Sequence, residues 1–224
     1  MMNNLFSIFD PSSSMMYSMN WMSSIYIMLF IPNIYWLIPS RWLMLYMLMF
    51  KFLINEFKVL LNKNLNKLNL LIYISLFLMI MLNNFLGLFP YIFTSSSHMS
   101  MSLVYSLMLW ISYMMFGWLK NLNHMFIHLV PQGTPGILMP FMVLIETISN
   151  VIRPGTLAVR LSANMIAGHL LMTLISSTGT SLNLFMLSLM LLSQSLLIVL
   201  EISVSFIQAY VFSILSTLYS TETN

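Results

Sequence analysis

Long apolar runs broken by short polar stretches dominate this chain. A helix needs about 20 apolar residues to cross the hydrocarbon core of a bilayer. On that scale, residues 15–39 predict a first transmembrane helix. Residues 40–69 follow a different pattern. Arg41, Lys51, Glu56, Lys58, Lys63 and Lys67 are spaced among Trp, Leu, Phe and Met, which predicts an amphipathic helix lying on the membrane surface. Residues 70–93 predict a second span that carries Asn83 and Asn84 and ends near Pro90. Residues 99–119 predict a third, closed by Lys120.

Two longer apolar stretches remain, 137–175 and 182–219. As helix, each would extend nearly 60 Å at about 1.5 Å per residue, close to twice the ~30 Å core. They fit either four short spans or two long, strongly tilted helices. The first has a candidate break at Arg153-Pro154-Gly155, while the second has neither Pro nor Gly. The polar segment Ser176 to Ser181, with Gly179, reads as a turn between them. Two long helices forming a tilted hairpin, the first bent at Pro154, are the favoured reading. The fold expected is an all-α integral membrane protein, residues 1–224 forming one membrane domain with no internal repeat and no soluble domain.

Composition narrows the class. Of 224 residues, 59% are hydrophobic and 6% charged, against about 25% charged in a soluble domain. That leaves too little polar surface to coat a globule. Five of the eight Lys and Arg fall between Arg41 and Lys67, too sparse and apolar a cluster for a nucleic-acid site and better suited to a membrane surface. The positive-inside rule places 40–69 and Lys120 on the matrix or cytoplasmic side, and the uncharged loop Thr94 to Ser100 opposite. An N-terminus outside and a C-terminus inside satisfy both. Cysteine is absent, so disulfides and thiolate metal sites are excluded. The Met-rich composition, with no import or secretion signal at the N-terminus, predicts synthesis within an organelle.

The chemistry concentrates in the last 90 or so residues: Glu146, Arg153, Arg160, Asn164, His169, Glu201, Gln208 and Glu222. An arginine cannot practically lose its proton, and at bilayer depth it costs at least about 2.5 kcal/mol. Arg160, inside Leu157-Ala158-Val159-Arg160-Leu161, is therefore read as functional rather than as a side chain snorkelling to the surface. Glu146, Arg153 and Arg160 are seven apart and share a face, with Asn164 one turn beyond. Glu201 and Gln208 share a face of the second helix. His169, nine beyond Arg160, should look sideways from it. In an antiparallel hairpin, residues at one depth have position numbers of constant total. One register then pairs His169 with Glu201, Arg160 with Gln208 and Glu146 with Glu222. Along the helix, Glu146 lies about 21 Å and His169 about 14 Å from Arg160. The layout reads as two proton-access paths with a fixed cation between them. Arg153 reads as a structural partner of Glu146 or a head-group contact. Asn164 and Gln208 also fit ordinary helix packing, and His169 an interhelical hydrogen bond. His98, His124 and His128 read as loop residues, and Asn83-Asn84 as capping or packing groups.

A family resemblance adds to this. Its residues are Pro131-Gln132-Gly133-Thr134-Pro135, Pro140 to Glu146, Ala158 to Leu171, and Glu201-Ile202 through Ile207-Gln208-Ala209-Tyr210. Asn84 to Tyr91 and Asn4 to Pro11 contribute more loosely. The chain resembles the a subunits of F-type ATP synthases in their mitochondrially encoded form, over essentially its whole length. The resemblance implies one outer transmembrane helix, a matrix-surface helix, two further spans and a long tilted hairpin against a rotating c-ring. It implies that Arg160, Asn164 and Gln208 work with the ring, that His169 and Glu201 serve a half-channel from the intermembrane space, and that Glu146 and Glu222 serve one to the matrix. Glu222 stands where Asp is common. The partners implied are the c-ring, the peripheral-stalk b subunit, other small membrane-sector subunits, protons and lipid. The location implied is the mitochondrial inner membrane. No cofactor is expected, and no bond chemistry by the chain on its own.

Two other functions compete. A secondary transporter or ion channel would also use intramembrane charges, but predicts inverted repeats. A purely structural subunit of a respiratory complex leaves Arg160, Glu146 and Glu201 without a purpose.

Overall fold

The structure, a computed structural model, describes residues 5–12, 17–61, 67–89, 92–130, 133–179 and 183–223. Every regular element among them is helical: α1 (Ser23–Tyr26), α2 (Arg41–Leu60), α3 (Lys67–Gly87), α4 (Met99–Lys120), α5 (Leu122–His128), α6 (Met139–Thr178) and α7 (Leu184–Thr223). Four helices are long and apolar enough to cross a membrane: α3, α4, α6 and α7. The chain is a multi-pass membrane protein.

The two long apolar stretches each form one continuous helix of 40 residues. Pro154 lies inside α6 without ending it. Leu157, Leu161 and Met165 on one face of α6 are buried, as are Ala209 and Phe212 of α7. α4 packs along α6 and α3 along α7. The hairpin is antiparallel in the register that its polar groups predict. Gly168 faces Glu201 and Gly179 faces Met190, two pairs with the same total.

α2 docks by one stripe. Ser40 caps its N-terminus, accepting the Leu43 amide at 3.4 Å. Leu43, Leu53 and Phe57 are buried, and Tyr46, Phe50 and Ile54, on the same stripe, are half-buried. The stripe meets Tyr73, Phe77 and Ile80 of α3 in the main core. Arg41, Lys51 and Lys58 are exposed among the equally exposed Trp42, Phe52 and Val59. Lys63 lies outside the described residues, as do Pro90, Tyr91, Pro131 and Gln132.

The expected first span takes another form. Met19–Met22 and Ile27–Phe30 are 3₁₀ turns on either side of α1, together about 20 Å long. That falls short of the ~30 Å core. Residues 31–40 then run without helix to α2. Asn20 limits the apolar run on one side and Pro32 on the other, and proline withholds an amide and disfavours helix in the residue before it. Trp21 packs on Phe93 and His98 between α3 and α4, and Glu56 meets Tyr210 well along α7.

Candidate functional site

Helix geometry places Arg160, Ala163, Asn164 and Ala167 on one face of α6, and all four are exposed. The opposite face, Leu157, Ala158, Leu161, Ser162 and Met165, is buried. Arg160 thus stands on the outside of the bundle, and among the described residues it has no carboxylate partner. Two alanines one turn apart beside it would let another helix approach closely. Asn164 is exposed one turn from Arg160, and Gln208 is half-buried on α7. Neither hydrogen-bonds Arg160.

His169 points the other way, as its offset from Arg160 predicts. It is 9% exposed, its ring meets Phe9 edge-on at 6.3 Å, and its Nε2 has no protein partner. Glu201 is equally buried, and neither carboxylate oxygen has a partner. Its carboxylate rests against Gly168, where an added Cβ would lie 2.5 Å from Oε1. Glycine here makes the room that the acid occupies. Buried polar atoms are nearly always satisfied, so unpaired groups on adjacent turns of the hairpin mark a place built to exchange hydrogen bonds.

That place opens onto a cavity of about 1270 Å³. His169, Thr173 and Ser176 line it from α6 and Gln194 from α7, with Asp10 and Asn20 from the N-terminal segment. Sequence reasoning missed Thr173, Gln194, Asp10 and Asn20. Thr173 follows His169 at one turn and Gln194 precedes Glu201 at two, so helical spacing could have found both. Asp10 and Asn20 reach the site through tertiary folding, which spacing does not encode.

At the other end of the hairpin, Arg153 pairs with two carboxylates. Its guanidinium lies 3.5 Å from Glu146 and hydrogen-bonds Glu222. It also stands over the Tyr219 ring at 5.4 Å. Glu146 and Glu222 are therefore at one level, joined by the cation that separates them. A second unforeseen contact joins α2 to α7: the Tyr210 hydroxyl donates to Glu56 at 2.9 Å.

Asn83 is buried and accepts from Ser95 Oγ at 3.1 Å. His98 is packed between Trp21 and Phe93. His124 and His128 lie on helix α5 rather than in a loop, ring on ring at 4.4 Å.

The chain was compared with known proteins. The sequence profile of the family described as ATP synthase A chain matches residues 14–221. The chain is 60% identical to ATP synthase subunit a of Locusta migratoria over 223 residues, 99% of each chain. It is 56% identical to ATP synthase subunit a of Drosophila melanogaster over 224 residues, the whole of both. The corresponding protein of Aedes aegypti is 57% identical, again over the whole of both.

Proposed function

Because the chain belongs to the ATP synthase subunit a family, we propose that it is the proton-conducting stator of that enzyme's membrane sector in the mitochondrial inner membrane. It is not a catalytic subunit. It offers a ring of c subunits two offset half-channels separated by Arg160. In this arrangement α2 lies on the matrix surface, α3 and α4 span the membrane, and the tilted α6–α7 hairpin faces the ring. The N-terminus lies toward the intermembrane space and the C-terminus toward the matrix. The b subunit and small membrane-sector subunits cover other apolar faces.

The observation that carries this reading is Arg160 exposed on the outer face of α6 beside Ala163 and Ala167. A permanent cation on a lipid-level face calls for an anion from outside the chain. A carboxylic acid on each ring subunit supplies it. Near Arg160 that acid favours its ionised form. A proton arriving by Glu201 and His169 neutralises it, and the ring turns it into lipid. After nearly a full turn it releases the proton to Glu146 and Glu222. Each elementary charge crossing 100 mV supplies about 2.3 kcal/mol. Arg160 also opposes direct leakage between the two paths, while Asn164 and Gln208 hold water or the ring acid beside it.

Arg160→Ala in the assembled complex tests this. ATP synthesis in vesicles should disappear with assembly intact, and proton flux should no longer be coupled to rotation. Synthesis near normal would overturn the reading and favour a transporter or channel.

A further inference from the structure

The cavity beside His169 has a wall contributed by the N-terminal segment, and the proton path proposed above makes no use of it. Leu5–Phe9 forms a 3₁₀ turn that sets Phe9 on the His169 ring at 6.3 Å. Asp10 follows. Its Oδ1 accepts from Ser12 N at 3.2 Å and Ser12 Oγ at 2.9 Å. Its carbonyl accepts from Asn20 Nδ2 at 3.1 Å. Ser12 thereby holds the carboxylate and Asn20 the backbone of Asp10 at the cavity rim. Among the described residues, the cavity wall contains three titratable groups: Asp10, Tyr26 of α1, and His169 of α6. The wall residues of α3 and α7 add none, since α7 presents Gln194 and Ile198 and α3 presents Leu86 and Gly87. Asp10 is the acid of this wall.

We propose that Asp10 is the proton-collecting group at the outer mouth of the path, passing protons across the cavity to His169. The inference rests on the half-channel reading of His169 and Glu201. The need for such a group follows from arrival rates. At pH 8 the free proton concentration is about 10 nM, so even an on-rate of about 10¹⁰ M⁻¹ s⁻¹ delivers only about 100 protons per second. An anionic group at the mouth of a cleft raises cation arrival by about 10- to 1,000-fold. Asp10 is exposed and lines the same cavity as His169, whose buried Nε2 has no partner. Thr173, Ser176, Gln194 and Asn20 line the same cavity, and their hydroxyls and amides can carry hydrogen bonds to water within it.

The test is proton-driven ATP synthesis by the whole complex in vesicles, measured against the pH of the outer medium at constant total driving force. Asp10→Asn should lower the rate roughly three- to tenfold near pH 8 and leave it unchanged near pH 6, where protons are about 100-fold more abundant. Asp10→Glu should restore the alkaline rate, which a merely structural aspartate would not allow. The amount of assembled complex on native gels normalises each rate. Glu201→Gln is measured alongside. If it leaves synthesis intact, the half-channel reading fails. If Glu201→Gln abolishes synthesis while Asp10→Asn keeps the unmodified pH profile, the collecting role of Asp10 alone is overturned.

Discussion

At the scale of single residues, the site is built from side chains whose positions depend on what their neighbours lack. Glu201 occupies space that only a glycine at 168 leaves open, because a Cβ there would sit 2.5 Å from Oε1. Gly168→Ala must therefore displace the carboxylate, at an overpacking cost of about 1–3 kcal/mol. A group misplaced by about 1 Å can lose about 100-fold in rate. Proton pumping driven by ATP should fall at least about tenfold in Gly168→Ala, with the complex assembled. Adding Glu201→Asp, one methylene shorter, should recover part of it. Unchanged pumping in the single variant would mean that the position of Glu201 does not matter to flux. Arg153 illustrates the opposite case. The seven-residue spacing from Glu146 made their pairing legible in the sequence, but the pair with Glu222 arises only when α7 folds back. With Glu222 half exposed, screening limits each pair to about 1 kcal/mol or less. Arg153 serves geometry more than stability, keeping two carboxylates at one depth.

At the scale of elements, periodicity was a good guide wherever one helix meets one apolar environment. α4, α6 and α7 lie within a few residues of their expected bounds. The amphipathic segment after Pro39 folds as α2, over Arg41–Leu60. Over residues 15–39, where Asn20, Pro32 and Pro39 divide the run, the described residues form short turns about α1 instead of one long helix. The short helix α5 and the N-terminal turn also escaped, since seven and five residues are too few for a pattern to register. α2 offers a test of what docks an interfacial helix. Phe57 is fully buried against α3, whereas the Lys51 and Lys58 side chains are exposed. Removing a buried aromatic ring costs about 3–5 kcal/mol. Phe57→Ala should release α2, seen as loss of a cross-link engineered between α2 and α3 at positions other than 57, or as protease cleavage within 41–60. Lys51→Gln should leave both unchanged. Release by the lysine variant instead would mean that head-group charge, not packing on α3, holds α2 in place.

At the scale of the whole molecule, the polar groups divide between the two ends of one long hairpin. The cavity lined by His169 opens at the end where α3 finishes. The Arg153 cluster lies where α7 ends. Sequence register alone predicted this division, because an antiparallel pair of helices converts position number into place along the hairpin. The cavity was not predictable in the same way, since its N-terminal wall joins residues about 150 positions apart in the chain. The division makes a topological claim that the absence of cysteine lets us test cleanly. Thr173 lines the cavity, and Thr221 sits beside Glu222. By the hairpin register the two are about 35–40 Å apart along the helix axis, at opposite ends of the hairpin's polar region. In sealed vesicles, a charged thiol reagent applied to the outer side should modify Thr173→Cys and spare Thr221→Cys. Applied to the matrix side, it should do the reverse. Modification of both from one side would mean a continuous aqueous pore, which a fixed cation at Arg160 would not interrupt. That result would replace two half-channels with a channel, and coupling to rotation would then need another origin.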